Sequence, residues 1–316
     1  MDYFTSRQNS LEEAILRTMI YADVFEYPLQ VAEIHFFLIG MRATLDEVYE
    51  VLSTSPRLAV DLEQIGDYYT LRGRSDLVAL REKRADASVK LWKKAERYAA
   101  QIARLPFVRM VAITGALSML NADDHHDDID YLVVTAAGRV WLARLLALGV
   151  VRLARLRGVH LCPNYVLSES ALPQTPRDLF IAHEIVQMVP LSGIPVYQNM
   201  RWINGWTQVH LPNATDTHRP VPDLSPKRLG KSLQRIGERL LGGRLGTALE
   251  QWEMRRKQRK LRAENPQRSP AVFLDATQVK GHFTDHGARV LTQYKAGLVA
   301  HNLREASGKT APLSSG

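Results

Sequence analysis

At 316 residues the chain is too long for one small domain, and at about 150 residues per domain it predicts two or three. Hydrophobic residues make up 46% and charged residues 23%, a globular balance that excludes global disorder, and the single cysteine, Cys162, excludes an internal disulfide. The net charge of +8 has one source: residues 225–262 hold twelve Lys or Arg against Glu238, Glu250 and Glu253, a local balance of +9. Such clustering suits an anionic partner or a solvated basic helix.

Residues 1–11 are polar, with no apolar run behind basic residues, so no secretion signal is read there. Together with the lone cysteine this predicts a cytoplasmic protein. The most apolar segment, 140–156, is interrupted by Arg144, Arg152 and Arg155, and its longest uncharged run, 145–151, falls far short of the roughly 20 residues a membrane span needs. No membrane span is expected.

In chain order, Leu11, Ile15, Met19 and Ala22 mark a helix over 11–24, with Ser10 and Glu13 as its capping box. Tyr27-Pro28 breaks it. A second helix follows over 30–38, ending before Gly40, and a third over 45–52, capped by Thr44 with Glu47. Segments 58–65 and 68–71 flank Gly66-Asp67 as a hairpin. Three helices and a hairpin predict a winged helix-turn-helix over 1–74. Its third helix carries Asp46, Glu47 and Glu50 and no Lys or Arg, which opposes groove reading and favours a protein-contact or structural role.

Residues 75–105 predict one long linking helix, ended by Pro106. Strands over 108–114, 128–135 and 161–167 alternate with helices over 138–156 and 176–189, so 106–211 predicts a mixed α/β core. The proline-rich stretch 212–226 opens a C-terminal region, 212–316, of basic helices with a polar break at 265–270. The fold class expected is therefore α+β.

The chemistry concentrates at Val111-Ala112-Ile113-Thr114-Gly115-Ala116-Leu117-Ser118 and at Asp127-Asp128-Ile129-Asp130-Tyr131-Leu132. On a strand, Asp128 and Asp130 share a face while Ile129 turns to the core. Two neighbouring carboxylates call for a cation, and oxygen-only ligands suit Mg²⁺ or Mn²⁺. Gly115 lets backbone approach a bound group closely, and the amides of the turn after it can cradle phosphate. Elsewhere, His125 and His126 read as a solvated acidic loop, His183 and Glu184 as core or interface residues, and Lys280, His282 and His286 as helix-like packing or a phosphate contact.

An apolar strand, a glycine turn and a strand bearing Asp-x-Asp resemble the nucleotidyltransferase superfamily with the polymerase-β palm, over roughly 108–167. The resemblance implies a palm between the winged helix and the basic C-terminal region. It implies Mg²⁺-dependent transfer of a nucleotidyl group from an NTP, ATP among them, to a hydroxyl acceptor. Asp128 and Asp130 would hold metal, and Gly115, Ala116, Ser118 and Arg139 would meet the nucleotide. Two positions depart from the family: Ala116 stands where Ser or Gly is usual, and Asn164 where the third strand carries a carboxylate. Glu169 is the substitute expected as third catalytic carboxylate, with Asp178 and Glu184 behind it. The alternative is a catalytically silent module of the same fold that binds protein or nucleic acid, the latter through 227–262. A transcription regulator is disfavoured by the acidic third helix.

Overall fold

A computed structural model describes residues 2–264, 274–280 and 286–306. The fold is α+β, with a three-stranded antiparallel sheet and a five-stranded mixed sheet among thirteen helices in the described residues. Among the described residues no helix is long and apolar enough to cross a membrane.

The N-terminal part runs α1 (Asp2–Asp23), β1 (Leu29–Gln30), α2 (Val31–Phe36), α3 (Leu45–Thr54), α4 (Pro56–Asp61), β2 (Leu62–Ile65) and β3 (Tyr68–Leu71). The expected capping box at Ser10 does not form, because α1 starts well upstream. Ser10 lies inside the helix and donates to the Ser6 carbonyl at 2.9 Å, while Glu13 pairs with Arg17 at 2.7 Å. The box at Thr44 does form: Glu47 N donates to Thr44 Oγ1 at 3.2 Å, and Thr44 N to Glu47 Oε2 at 2.8 Å. Residues 58–61, expected as strand, are helical. Pro56 suits the first helical turn, and the Ser55 hydroxyl accepts from Leu58 N at 3.1 Å.

Helix α5 (Asp76–Ile102) ties this part to the rest. Near its start, the buried Arg81 makes two bonds of 2.8 Å to the carboxylate of Glu33 and lies over the Tyr27 ring. Farther on, Leu91, Ala95, Tyr98 and Ile102 are buried against the larger sheet.

The larger sheet comprises β4 (Val108–Ile113), β5 (Ile129–Thr135), β6 (Leu161–Ser168), β7 (Val189–Ser192) and β8 (Gln278–Lys280), in the order β7-β4-β5-β6-β8. Among the described residues only the β5–β6 pair of this sheet is parallel. Its crossover is α7 (Val140–Arg155), while α6 (Gly115–Ser118) is a single turn after β4, and α8 (Leu179–Gln187) precedes β7. Neither β7 nor β8 was expected. Each is a short edge strand recruited by a partner far away in sequence. Lys280, read as helix-like, belongs to β8, whereas His282 and the break at 265–270 lie outside the described residues.

The remaining helices are α9 (Ile194–Ile203), α10 (Thr207–His210), α11 (Arg228–Leu241), α12 (Arg244–Glu264) and α13 (His286–Ala300). One core lies between the sheet and α5 and α7. A second lies on the other sheet face, under α8 and α9. A third joins α1 to Leu179, Ala182 and Val186 of α8 and to Val290, Tyr294 and Leu298 of α13.

Helix α7 receives its N-terminal cap from another element. Arg139 at its N-cap offers no side-chain bond; instead the buried Glu250 of α12 accepts from Trp141 N at 2.9 Å and Leu142 N at 2.6 Å. Those are the amides a local cap would satisfy. Glu250→Ala leaves both donors buried and unpaired, so urea denaturation should show a loss of about 1–3 kcal/mol. A loss under about 0.5 kcal/mol would mean the cap contributes nothing beyond an ordinary surface contact.

Candidate functional site

Strand β5 alternates cleanly. Ile129, Tyr131 and Val133 enter the core beneath α5 and α7, whereas Leu132 and Val134 face α8. Asp130 shares the α8 side. Its strand partner β4 ends at Ile113, and Thr114 N donates to the Asp130 carbonyl at 3.0 Å, which sets the turn at residue 115 over the aspartate side chain. Gly115 has φ +63°, and a Cβ there would stand 2.6 Å from Asp130 Oδ2. Both facts demand glycine: one for backbone conformation, the other for space.

On the other side, β6 carries an irregularity. Asp130 pairs with Cys162 but Leu132 pairs with Tyr165, so β6 holds one extra residue across this interval. Pro163, which lacks a ladder donor, sits in that bulge. The bulge lets Asn164 and Tyr165 both face the site. Asn164 Nδ2 donates to Asp130 Oδ1, while its Oδ1 accepts from the Cys162 thiol at 2.6 Å. Burial, then the charges of Asp130 and Asp128, pushes that thiol up to about 11, so it is an inert neutral donor near pH 7.

Asp128 lies one residue before β5, is exposed, and approaches His160 Nδ1 at 3.7 Å. Burial pushes Asp130 up to about 7, with Glu184 the largest charged contributor, then Asp128 and Asp127. Glu184 reaches the site from α8. Its own carboxyl is raised by burial, and it accepts from Gln187 Nε2 at 3.0 Å while Lys280 opposes the shift. Glu184, expected only as a fallback third carboxylate behind Glu169, is the acid of a largely apolar helix, Leu179–Gln187, and that is the signal the chain offers for it. Lys280 arrives through β8, which no local pattern announced.

Asp130, Asn164, Glu184 and Lys280 line one cavity of about 680 Å³, whereas Asp128 lies outside its lining. They form its polar end, and Tyr21, Phe25, Phe37 and Phe180 its aromatic walls. His183 stacks on Tyr21 with ring centroids 3.9 Å apart, and burial lowers it to about 4, so it is neutral near pH 7. Its Nδ1 lies 3.0 Å from the Leu179 carbonyl, which fixes that nitrogen as the donor. The N-terminal part thus supplies walls to the same cavity that Asp130 opens into.

The other expected site residues fall elsewhere. Ala116 lines the cavity, but Ser118 is fully buried and its hydroxyl donates to the Gly115 carbonyl at 2.8 Å, where it holds the turn rather than facing a phosphate. Glu169 N donates to the Thr135 carbonyl at 2.8 Å, at the opposite end of β5 and about 16 Å of strand from Asp130. Arg139 also lies past that far end. It donates to the Gly242 carbonyl at 2.7 Å and to Thr247 Oγ1 at 3.2 Å, bracing α7 against the α11–α12 junction. Position along the chain, the ground for expecting Glu169 and Arg139 at the site, does not say which end of a strand a residue reaches. His125 and His126 lie exposed in the loop before β5, and among the described residues no three His, Cys, Asp or Glu side chains form a metal-holding group.

No protein family, no curated protein and no solved structure matches this chain.

The sign of the Asp130 shift gives a stability test. Its folded value near 7 lies above the unfolded 3.8, so between those values the folded state holds a proton that the unfolded state has released. Stability therefore falls as pH rises through this window, and the whole cost is present above pH 7. Asp130→Asn removes that cost. The variant should be more stable than wild type at pH 8, with the gap shrinking to nothing near pH 4, followed by urea denaturation across pH. A gap independent of pH would remove Asp130 as the titrating group.

Proposed function

We propose that the chain is a nucleotidyltransferase-like protein. In this reading β4, the Gly115 turn and β5 are a polymerase-β-type palm, and the N-terminal part is a winged helix serving as a wall of the substrate cavity. The observation that carries it is the packing of a left-handed glycine turn directly on the carboxylate of Asp130. A turn that brings backbone N–H groups beside an acidic side chain suits a triphosphate whose charge is shared with a cation.

The residues fit one hard divalent cation better than two. Asp130 and Asp128 offer oxygens, and Asn164 holds Asp130 in place as a neutral donor where the family would supply a third carboxylate. Mg²⁺ or Mn²⁺ bound there would neutralise triphosphate charge and orient it. The amides of Gly115 and Ala116 would meet phosphate oxygens, and the Lys280 ammonium would add a point charge from the opposite wall. The aromatic chamber toward Tyr21 and Phe37 would take the hydroxyl-bearing acceptor and exclude water.

With Glu169 remote, Glu184 is the carboxylate for taking the acceptor hydroxyl's proton. Burial raises its carboxyl above the ordinary range, which makes it a stronger proton acceptor than an exposed carboxylate. Asn164 supports the rival reading, a silent palm that binds nucleotide without transfer, because an amide cannot accept that proton.

Labelled NTPs, Mg²⁺ and a pool of hydroxyl compounds separate the two. Transfer by wild type that falls about 10²-fold or more in Glu184→Gln, with NTP affinity kept, supports the enzyme. If neither wild type nor Asn164→Asp transfers label while NTP still binds, the silent module is correct.

A further inference from the structure

Helix α11 already has its protein-facing side. Gly230 and Gly237 lie against Pro226 and Pro106, where a Cβ would come within 3.2 Å and 2.5 Å of side-chain carbons. Gln234 Nε2 donates to the Leu105 and Val108 carbonyls at 3.0 Å each, and Glu238 accepts from Phe107 N at 2.9 Å and Arg109 Nη1 at 2.6 Å. Docking of the helix therefore accounts for one face only.

A second face carries Leu229, Leu233, Ile236 and Leu240 at spacing i, i+4, i+7, i+11, exposed at 75, 60, 51 and 72%. That is a continuous apolar ridge about 16 Å long in solvent. A third face carries Arg228, Lys231, Arg235 and Arg239 at i, i+3, i+7, i+11, all exposed. The only acidic residue of α11, Glu238, is turned inward to Arg109. An apolar row and a cationic row thus run side by side along the helix, in step with each other.

We propose that α11 lies on an anionic lipid surface, with the leucine–isoleucine ridge entering the acyl boundary and the arginine–lysine row at the level of the lipid phosphates. A bilayer presents those two layers in parallel, as the helix presents its two rows. Nucleic acid would use the cations and leave the apolar ridge in water. An acidic protein partner would need its own matching apolar row, for which nothing in the chain speaks. The geometry also sets orientation. Helix α11 packs at the Phe107–Val108 end of β4, and Asp130 lies at the Ile113 end, about 20 Å of strand away. The bilayer would hold the protein while the cavity stays in water. This inference does not rest on the nucleotidyltransferase reading.

Co-sedimentation of the whole chain with vesicles tests it, using phosphatidylcholine alone and phosphatidylcholine mixed with phosphatidylglycerol. Binding should appear with the anionic vesicles, weaken with salt, and fall at least about tenfold in Leu233→Glu/Ile236→Glu, whose sites are exposed so that the thermal unfolding curve should stay put. Lys231→Glu/Arg235→Glu should lose the preference for anionic lipid. The proposal is overturned if wild type binds neither vesicle, if the apolar double variant binds undiminished, or if that variant instead breaks a dimer of the chain. It is equally overturned if the basic row proves to bind an oligonucleotide while lipid binding is absent.

Discussion

The contact between Gly115 and Asp130 is the constraint on which the site depends. A strand must end, reverse in the left-handed region and lay its backbone on a carboxylate in the next strand, all within a few residues. Antiparallel pairing of β4 with β5 sets the level, the glycine provides the conformation, and the β6 bulge turns Asn164 onto the same carboxylate from the far side. Each element would be unremarkable alone. Together they hold one acidic group in a fixed place with its charge only partly compensated, which is a costly arrangement in the absence of a ligand.

The surroundings keep that charge from being solvated away. Helix α8 covers the sheet face beside Asp130 and brings a second carboxylate, Glu184, and the aromatic chamber continues the cavity toward α1. The chamber exists because α1, α8 and α13 share one core. In the proposed reading, the winged helix is therefore part of the substrate site, and its acidic third helix is free of any groove-reading duty. The basic C-terminal helices face other tasks. Glu250 and Glu238 are spent on capping α7 and anchoring α11, and the cations left exposed give the region its charge.

Local periodicity and turn chemistry made much of this readable in advance. The β4–glycine–β5 core, the long α5 and the Thr44 cap each depend on neighbours within a few residues, so pattern alone reveals them. The edge strands β7 and β8 do not. They are three or four residues long, and only a distant partner makes them strands. For the same reason Lys280 could not be placed beside Asp130, and Glu184, one acid in a largely apolar helix, reads both as packing and as a fallback carboxylate behind Glu169. Glu169 and Arg139 fall away from Asp130 for one reason: each follows the C-terminal end of a strand, Glu169 after β6 and Arg139 after β5, whereas Asp130 stands at the start of β5.

Isothermal titration with each common NTP, with and without Mg²⁺, tests the central claim most directly. Wild type should bind one nucleotide per chain only when Mg²⁺ is present. Gly115→Ala, which drives a methyl group into the Asp130 carboxylate, and Asp128→Ala/Asp130→Ala should each abolish the heat of binding while the protein stays folded. Nucleotide binding that survives both variants, or that needs no divalent cation, would contradict the account and place the nucleotide elsewhere on the molecule.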